Sequence, residues 1–200
     1  MYIVFDVSMT RCLVGVLNQD GTILHEEINN TLFAHSAELV PMIQKSIMEA
    51  GITFQDLQGI ITTKGPGSFT GIRVGLAAAQ GLKIALNIPL YAANSLHALA
   101  NSVEHDTTHI TVMNDTKCGE VYTQSFSYKN QEATPLNDPS SKDPGDLILK
   151  NTFIVGDGAY LILKETNLNI ITLKGMWKTY LQTKDTNADP LYIRPAKLYV

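Results

Sequence analysis

The chain has 200 residues, 44% of them hydrophobic and 17% charged, with a net charge of −4. That is enough apolar material for one domain or two small lobes, and the acidic balance argues against a stand-alone nucleic-acid binder, which needs clustered Lys and Arg. Cys12 and Cys118 are too distant in sequence to read as a disulfide framework, and no basic leader or long apolar run is present, so a reduced, cytoplasmic protein without a membrane span is expected.

Met1–Asp6, Cys12–Asn18 and Thr22–Ile28 read as three strands, with Asn18-Gln19-Asp20-Gly21 as the hairpin turn between the last two. Ser36–Ala50 has the 3.6-residue apolar period of a helix in Leu39, Val40, Ile43, Ile47 and Ala50. Pro41 belongs in its first turn or marks a kink, Met42 and Met48 lie off the apolar arc and point to a second contact surface, and Gly51 suits the C-terminal stop. A strand at Leu57–Thr62, a helix to about Leu86, a strand at Ile88–Ala92 and a helix at Ser95–Val103 follow. This order predicts an α/β fold, a mixed sheet with helices on its faces.

The second half opens with a strand at His109–Asn114 and a hairpin partner at Glu120–Tyr128, turning through Lys117-Cys118-Gly119. Tyr128–Asp146 is rich in Pro, Ser and Asn and reads as a long exposed loop. A strand at Thr152–Val155, a helix at Ala159–Glu165, a strand at Asn169–Leu173 and a helix near Met176–Thr183 complete the prediction. The natural division falls near residue 104, giving lobes 1–104 and 105–200 that each begin with a strand hairpin.

The most distinctive segment is Lys64–Lys83, KGPGSFTGIRVGLAAAQGLK. The loop Gly65, Pro66, Gly67, Ser68, Phe69 and Thr70 runs into a helix whose Gly71, Gly75, Ala78 and Ala79 recur every three or four residues, with Thr70 as its predicted N-cap. Two uses are open: an anion-ready helix N-terminus and a face for close backbone packing. No Gly-Lys-Ser/Thr closes the loop and no dinucleotide glycine spacing is present, which favours packing. Arg73 opposes the helix dipole and is expected in a salt bridge.

Asp6 and Ser8 end the first strand, Asp115 and Lys117 end the corresponding strand of the second half, and Gly156-Asp157-Gly158 forms a later turn. Together they have the placing of two phosphate elements and an adenosine element, although Asp6 is read in preference as a turn cap, since no glycine follows it to admit a phosphate. His25, His35, His97, His105 and His109 form no metal-ligand spacing. Asp185 and Asp189 flank a polar turn and read as solvated.

The segment GPGSFTGIRVG with AQGLK resembles the TsaB (YeaZ) proteins of bacteria. The opening Met1–Ser8, the helix HSAELVPMI, the stretch MNDTKCGEVY, Gly156-Asp157-Gly158 and Pro190–Arg194 extend the resemblance. It implies a two-lobed actin-like ATPase (ribonuclease H-like) fold with a reduced second lobe. It also implies a non-catalytic scaffold in a tRNA-modifying complex that makes N6-threonylcarbamoyladenosine. Its partners there are the catalytic paralogue TsaD and the ATPase TsaE, and tRNA is met only through the complex. The catalytic relatives carry a metal-binding His-x-x-x-His where Ser95 and Leu99 stand here, so no metal site is expected. Val7 and Lys117 replace the family's Thr and Arg. The chain alone is then expected to hold no cofactor, with ATP or ADP confined to the complex interface.

On this reading the partner interface, or a homodimer through the same helices, consists of Leu39, Val40, Met42, Ile43, Ile47, Gly71, Gly75, Ala78, Ala79 and Leu82. Gly75→Leu is then expected to abolish pairing while leaving the fold intact. The alternatives are an ATP-dependent kinase or hydrolase using Asp6 and Asp115, and a metallopeptidase-like enzyme.

Overall fold

The structure, a computed structural model, describes residues 1–30, 35–163 and 170–193. Tyr2–Asp6 (β1), Cys12–Leu17 (β2) and Ile23–Asn29 (β3) form an antiparallel meander. It turns through Asn18–Gly21, where Gly21 takes φ +86, a backbone state that only glycine adopts cheaply. Helix His35–Glu49 (α1) leads to Gly59–Gly65 (β4), helix Phe69–Leu86 (α2) and Leu90–Asn94 (β5). β4 lies parallel to β1 and β5 parallel to β4, giving the order β3-β2-β1-β4-β5. Pro41 is exposed inside α1, past its first turn. The short helix Ser95–Ala100 (α3) stops before the predicted Val103, because the chain turns at Asn101.

The second sheet repeats this plan. His109–Asp115 (β6) and Val121–Lys129 (β7) form a hairpin, Glu132–Pro135 (β8) adds to β7, Ser140–Lys142 (β9) pairs with β7 farther along, and Phe153–Val155 (β10) joins β6 in parallel. The order β8-β7-β6-β10 has the strand directions of β3-β2-β1-β4. Even the glycines that leave the fourth strands match: Gly65 has φ +103 and Gly156 φ +101. Two mixed sheets with flanking helices make this the two-lobed actin-like α/β fold. A short helix, Tyr160–Leu163 (α4), precedes the last helix among the described residues, Leu173–Thr183 (α5).

Two expectations are corrected. The predicted loop 128–146 instead contains β8 and β9, because Asn130 and Gln131 both take positive φ (54 and 61) and close a two-residue hairpin of a kind usually signalled by Asn-Gly. The strand predicted at 169–173 is not formed over residues 170–172; Thr172 accepts from Gly175 N and caps α5 instead. The rest of that strand and the end of the helix predicted to Glu165 lie outside the described residues.

The main core joins both lobes. Val4, Leu13, Leu17 and Ile61 of the first sheet meet Ile110, Val112 and Phe126 of the second through Leu96 and Leu99 of α3 and Leu173, Trp177 and Tyr180 of α5. Leu173 fills the notch left by Gly15, where an added Cβ would lie 2.1 Å from its Cδ1. The opposite face of the first sheet, with Ile3, Phe5, Val14 and Val16, is covered by α1 and α2. Among the described residues no helix is long and apolar enough to cross a membrane.

Trp177 is the chain's one tryptophan and sits where the lobes and α5 meet. Its fluorescence and the far-UV circular dichroism are therefore expected to report the same urea transition. Leu173→Ala should shift both together by about 3 kcal/mol.

Candidate functional site

The turn after β1 is held from within. Asp6, 3% exposed, accepts from Ser8 N at 3.0 Å, Ser8 Oγ at 2.6 Å and Thr63 Oγ1 at 2.5 Å, and Ser8 Oγ lies 3.0 Å from Ser95 Oγ. Asp6 is thus the cap of its turn and ties together β1, β4 and the start of α3. The glycine loop packs against the same turn. A Cβ on Gly71 would lie 1.9 Å from Val7 O, and one on Gly67 would lie 2.3 Å from Ser8 O. Ser68 N donates to Ser8 O at 2.8 Å. Ser68 Oγ accepts from Gly71 N, so Ser68 and not Thr70 is the N-cap; α2 begins at Phe69, which puts Thr70 inside the first turn. Gly65 is left-handed and Pro66 is buried beside it.

The equivalent turn of the second lobe is similarly occupied. Asp115 Oδ1 accepts from Lys117 N at 2.7 Å, as Asp6 does from Ser8 N. Asp115 N donates to Asp157 Oδ1, Thr116 N to Glu120 O and Cys118 N to Thr116 Oγ1. Every backbone N–H from Asp115 to Cys118 therefore has a partner inside the protein, where a phosphate-binding turn directs such groups at its ligand. Lys117 Nζ bridges Asp115 at 2.9 Å and Asp157 at 3.2 Å. Burial opposes its charge, but the two carboxylates hold its pKa above the ordinary lysine value. Gly156 and Gly158 serve close packing, since a Cβ on either would fall within 3 Å of Met113 O.

Between the lobes, Asn114 Nδ2 donates to Met9 Sδ and Asn94 Nδ2 to Gln124 Oε1. In α3, Ser95 and Leu99 are fully buried and Leu99 belongs to the main core; a leucine offers no ligand atom. His97 is 5% exposed, stacks on Phe126 and makes a 2.8 Å hydrogen bond through Nε2 with Ala133 O, so it is a core residue. Among the described residues no cluster of His, Cys, Asp and Glu has the geometry of a metal centre.

The helices α1 and α2 present a different face from the one the periodicity indicated. Leu39, Met42, Ile43 and Ile47 are at most 4% exposed and pack on the first sheet. Gly71, Gly75 and Ala79 also face inward; Gly75 would put a Cβ 3.0 Å from Val7 Cγ2. Gly75→Leu would thus crowd Val7, just past β1, and Thr62 of β4, and disturb the fold itself. Ala78 and Leu82 are half-buried, and only Val40 of the expected set is well exposed. The outward residues are Val40 at 52%, Met48 at 68% and Ile84 at 81%, beside the exposed Ala77, Gly81 and Ala85. Gly81 has nothing within 4 Å of where its Cβ would be. The signal for this face was the spacing of four in Ala77, Gly81 and Ala85, masked by the stronger glycine pattern upstream.

Two charge expectations also change. Arg73 forms no ion pair among the described residues but stacks on Phe69, 3.7 Å from the ring centre, and donates Nε to Tyr192 Oη. Asp185 is paired with Lys64 at 2.7 Å.

Gly71→Ala is expected to cost about 3 kcal/mol in urea unfolding, because the added methyl meets a backbone carbonyl and not a flexible side chain. Burial lowers the pKa of His97, with the Ala133 and Gln182 hydrogen bonds opposing that shift. The unfolded chain therefore binds more protons below its ordinary value of about 6.5. Stability should be full above that pH and fall as the pH drops towards the lower folded value. His97→Gln should flatten this part of a Tm-against-pH curve.

A family model described as tRNA N6-adenosine threonylcarbamoyltransferase (TsaD) matches residues 23–151. A Buchnera aphidicola (subsp. Schizaphis graminum) tRNA threonylcarbamoyladenosine biosynthesis protein TsaB is 30% identical over 82% of this chain and 81% of its own length. The Bacillus subtilis and Escherichia coli proteins of that name are 34% and 31% identical over 62% and 58% of the chain, and the matches span about half of those relatives, 54% and 51%. Among solved structures, YeaZ from Pseudomonas aeruginosa superposes with a TM-score of 0.81 at 20% identity, covering 96% of this chain and 98% of that one, a likeness of fold. The extent of the family-model match and of the Buchnera alignment identifies this chain as a member of the TsaB (YeaZ) family, whose named members are tRNA threonylcarbamoyladenosine biosynthesis proteins.

Proposed function

We propose that this chain is a non-catalytic subunit that pairs with a TsaD-type transferase through the outer face of α1 and α2. In that role it supports N6-threonylcarbamoyladenosine formation at position 37 of tRNAs reading ANN codons. The observation that carries the reading is the exposed apolar strip. Both helices lie on one face of the first sheet and touch each other. Their outward residues Val40, Met48 and Ile84 therefore flank the small residues Ala77, Gly81 and Ala85 on one surface. A strip of small residues lets a partner helix approach closely, and large apolar neighbours supply the buried area. Without such a partner, the same face favours a homodimer.

The scaffold role is supported by what the catalytic elements have become. Leu99 stands where catalytic relatives have a metal-binding histidine, and the backbone donors of the second-lobe turn are all taken by the protein. In this reading ATP or ADP enters only at the complex interface, a TsaE-type ATPase joins the assembly, and tRNA is met through the complex in the cytoplasm. The kinase and metallopeptidase-like alternatives require Asp6 or a histidine pair at the chemistry. Asp6 is instead the buried cap of its turn.

The test is reconstitution with TsaD-type and TsaE-type proteins, the enzyme that makes threonylcarbamoyl-adenylate, and unmodified tRNA. Modification is expected to depend on this chain. Ile84→Asp and Gly81→Leu should each lower pairing by about a hundredfold, the effect of losing an interface anchor, with unchanged Tm. Modification at the same rate without the chain would overturn the proposal, and so would ATP turnover by the chain alone that is lost in Asp6→Ala.

A further inference from the structure

α2 begins badly for a helix. Gly71 and Gly75 fall in its first two turns, no acidic residue lies near its N-terminus, and Arg73 places a positive charge at the positive end of the dipole. Its inner side is supported by the Val7–Ser8 backbone. Another flank, at Ile72 and Leu76, meets a strap, residues 185–193, that follows α5.

The strap is fastened at several points. Asp185 pairs with Lys64, whose side chain is only 12% exposed, and Lys64 Nζ also donates to Asn187 O at 3.0 Å. Ala92 N donates to Asp185 O at 2.9 Å, and Leu191 N to Lys64 O at 2.7 Å. Ala188 packs against Ile72 and Leu76 of α2 and Ala92 of β5. At the far end Tyr192 closes on Arg73: its ring lies 5.2 Å from that of Phe69, its hydroxyl accepts from Arg73 Nε at 3.0 Å, and the guanidinium sits over both rings. The misplaced cation of α2 is thereby converted into the strap's anchor.

We propose that residues 185–193 act as a clamp that holds the first turns of α2 in place, with Tyr192 and Arg73 as positioning residues for the docking face. The link to docking rests on the pairing reading above; the clamp itself does not. The strap fixes the start of the same helix whose outward strip carries Ala77, Gly81 and Ile84, so loosening it lets that strip shift relative to α1.

The test is hydrogen exchange on the full chain, with pairing to the TsaD-type protein measured beside it. In Tyr192→Ala, amides of residues 69–76 should exchange about tenfold faster while those of β6 and β7 stay unchanged, since local opening is separable from global unfolding. Tyr192→Phe keeps the ring against Arg73 and should recover most of the protection. Asp185→Ala should give the same local pattern by releasing the strap at its other end. Pairing of Tyr192→Ala should weaken about tenfold, mostly through faster dissociation. Unchanged exchange at residues 69–76, or an equal rise throughout the chain, would overturn the clamp. Raised exchange with unchanged affinity would overturn its coupling to docking. A wild-type chain that does not pair at all would overturn the docking reading, with the exchange pattern still deciding the clamp.

Discussion

The architecture depends on one close approach: the glycine loop and the start of α2 lie directly on the backbone of Val7 and Ser8. With an added Cβ only 1.9 Å from Val7 O at Gly71 and 2.3 Å from Ser8 O at Gly67, no side chain can be accommodated at either position without moving the turn beneath. This contact sets the depth of α2 on the sheet and thus which of its faces is left outside. It also decides between the two uses open to a glycine-rich helix entry. The glycines bring two pieces of the same backbone together, and Ser68 N, a donor at the helix entry, goes to Ser8 O.

From that contact a polar network extends inward. Asp6 gathers Ser8 and Thr63, and Ser8 reaches Ser95 at the head of α3. Buried hydroxyls and a carboxylate are tolerated because they are bonded to one another. The second lobe reproduces the plan with other chemistry: an ammonium, Lys117, joins the carboxylates of Asp115 and Asp157. In both lobes the carboxylate at the end of the first strand is held by partners from within the protein.

Much of the fold was legible in the sequence because its elements carry strong local patterns. The meander, the α1 period and the glycine entry to α2 are of that kind. The β7–β8 hairpin was not legible, since Asn130-Gln131 lacks the glycine that usually marks such a turn. The outward face of α1 and α2 was only partly legible. Periodicity finds the apolar arc of a helix but does not say whether its own sheet or a partner covers it, and Leu39, Met42, Ile43 and Ile47 proved to face the sheet. Arg73 was misread for a related reason. Its partners, Phe69 and the distant Tyr192, are aromatic, and composition alone gave no cause to look for a stacked cation in place of an ion pair.

The notch at Gly15 in β2 is filled by Leu173, and Gly21 is covered by Trp177; both side chains come from α5, more than a hundred residues later in the chain. During synthesis, the first sheet therefore leaves the ribosome with one face unfinished and waits for α5 to seal it. A lobe that looks complete by sequence order is, in time, among the last parts of the molecule to close. Until α5 has been made, the apolar floor of the first sheet lacks the side chains that fill these notches.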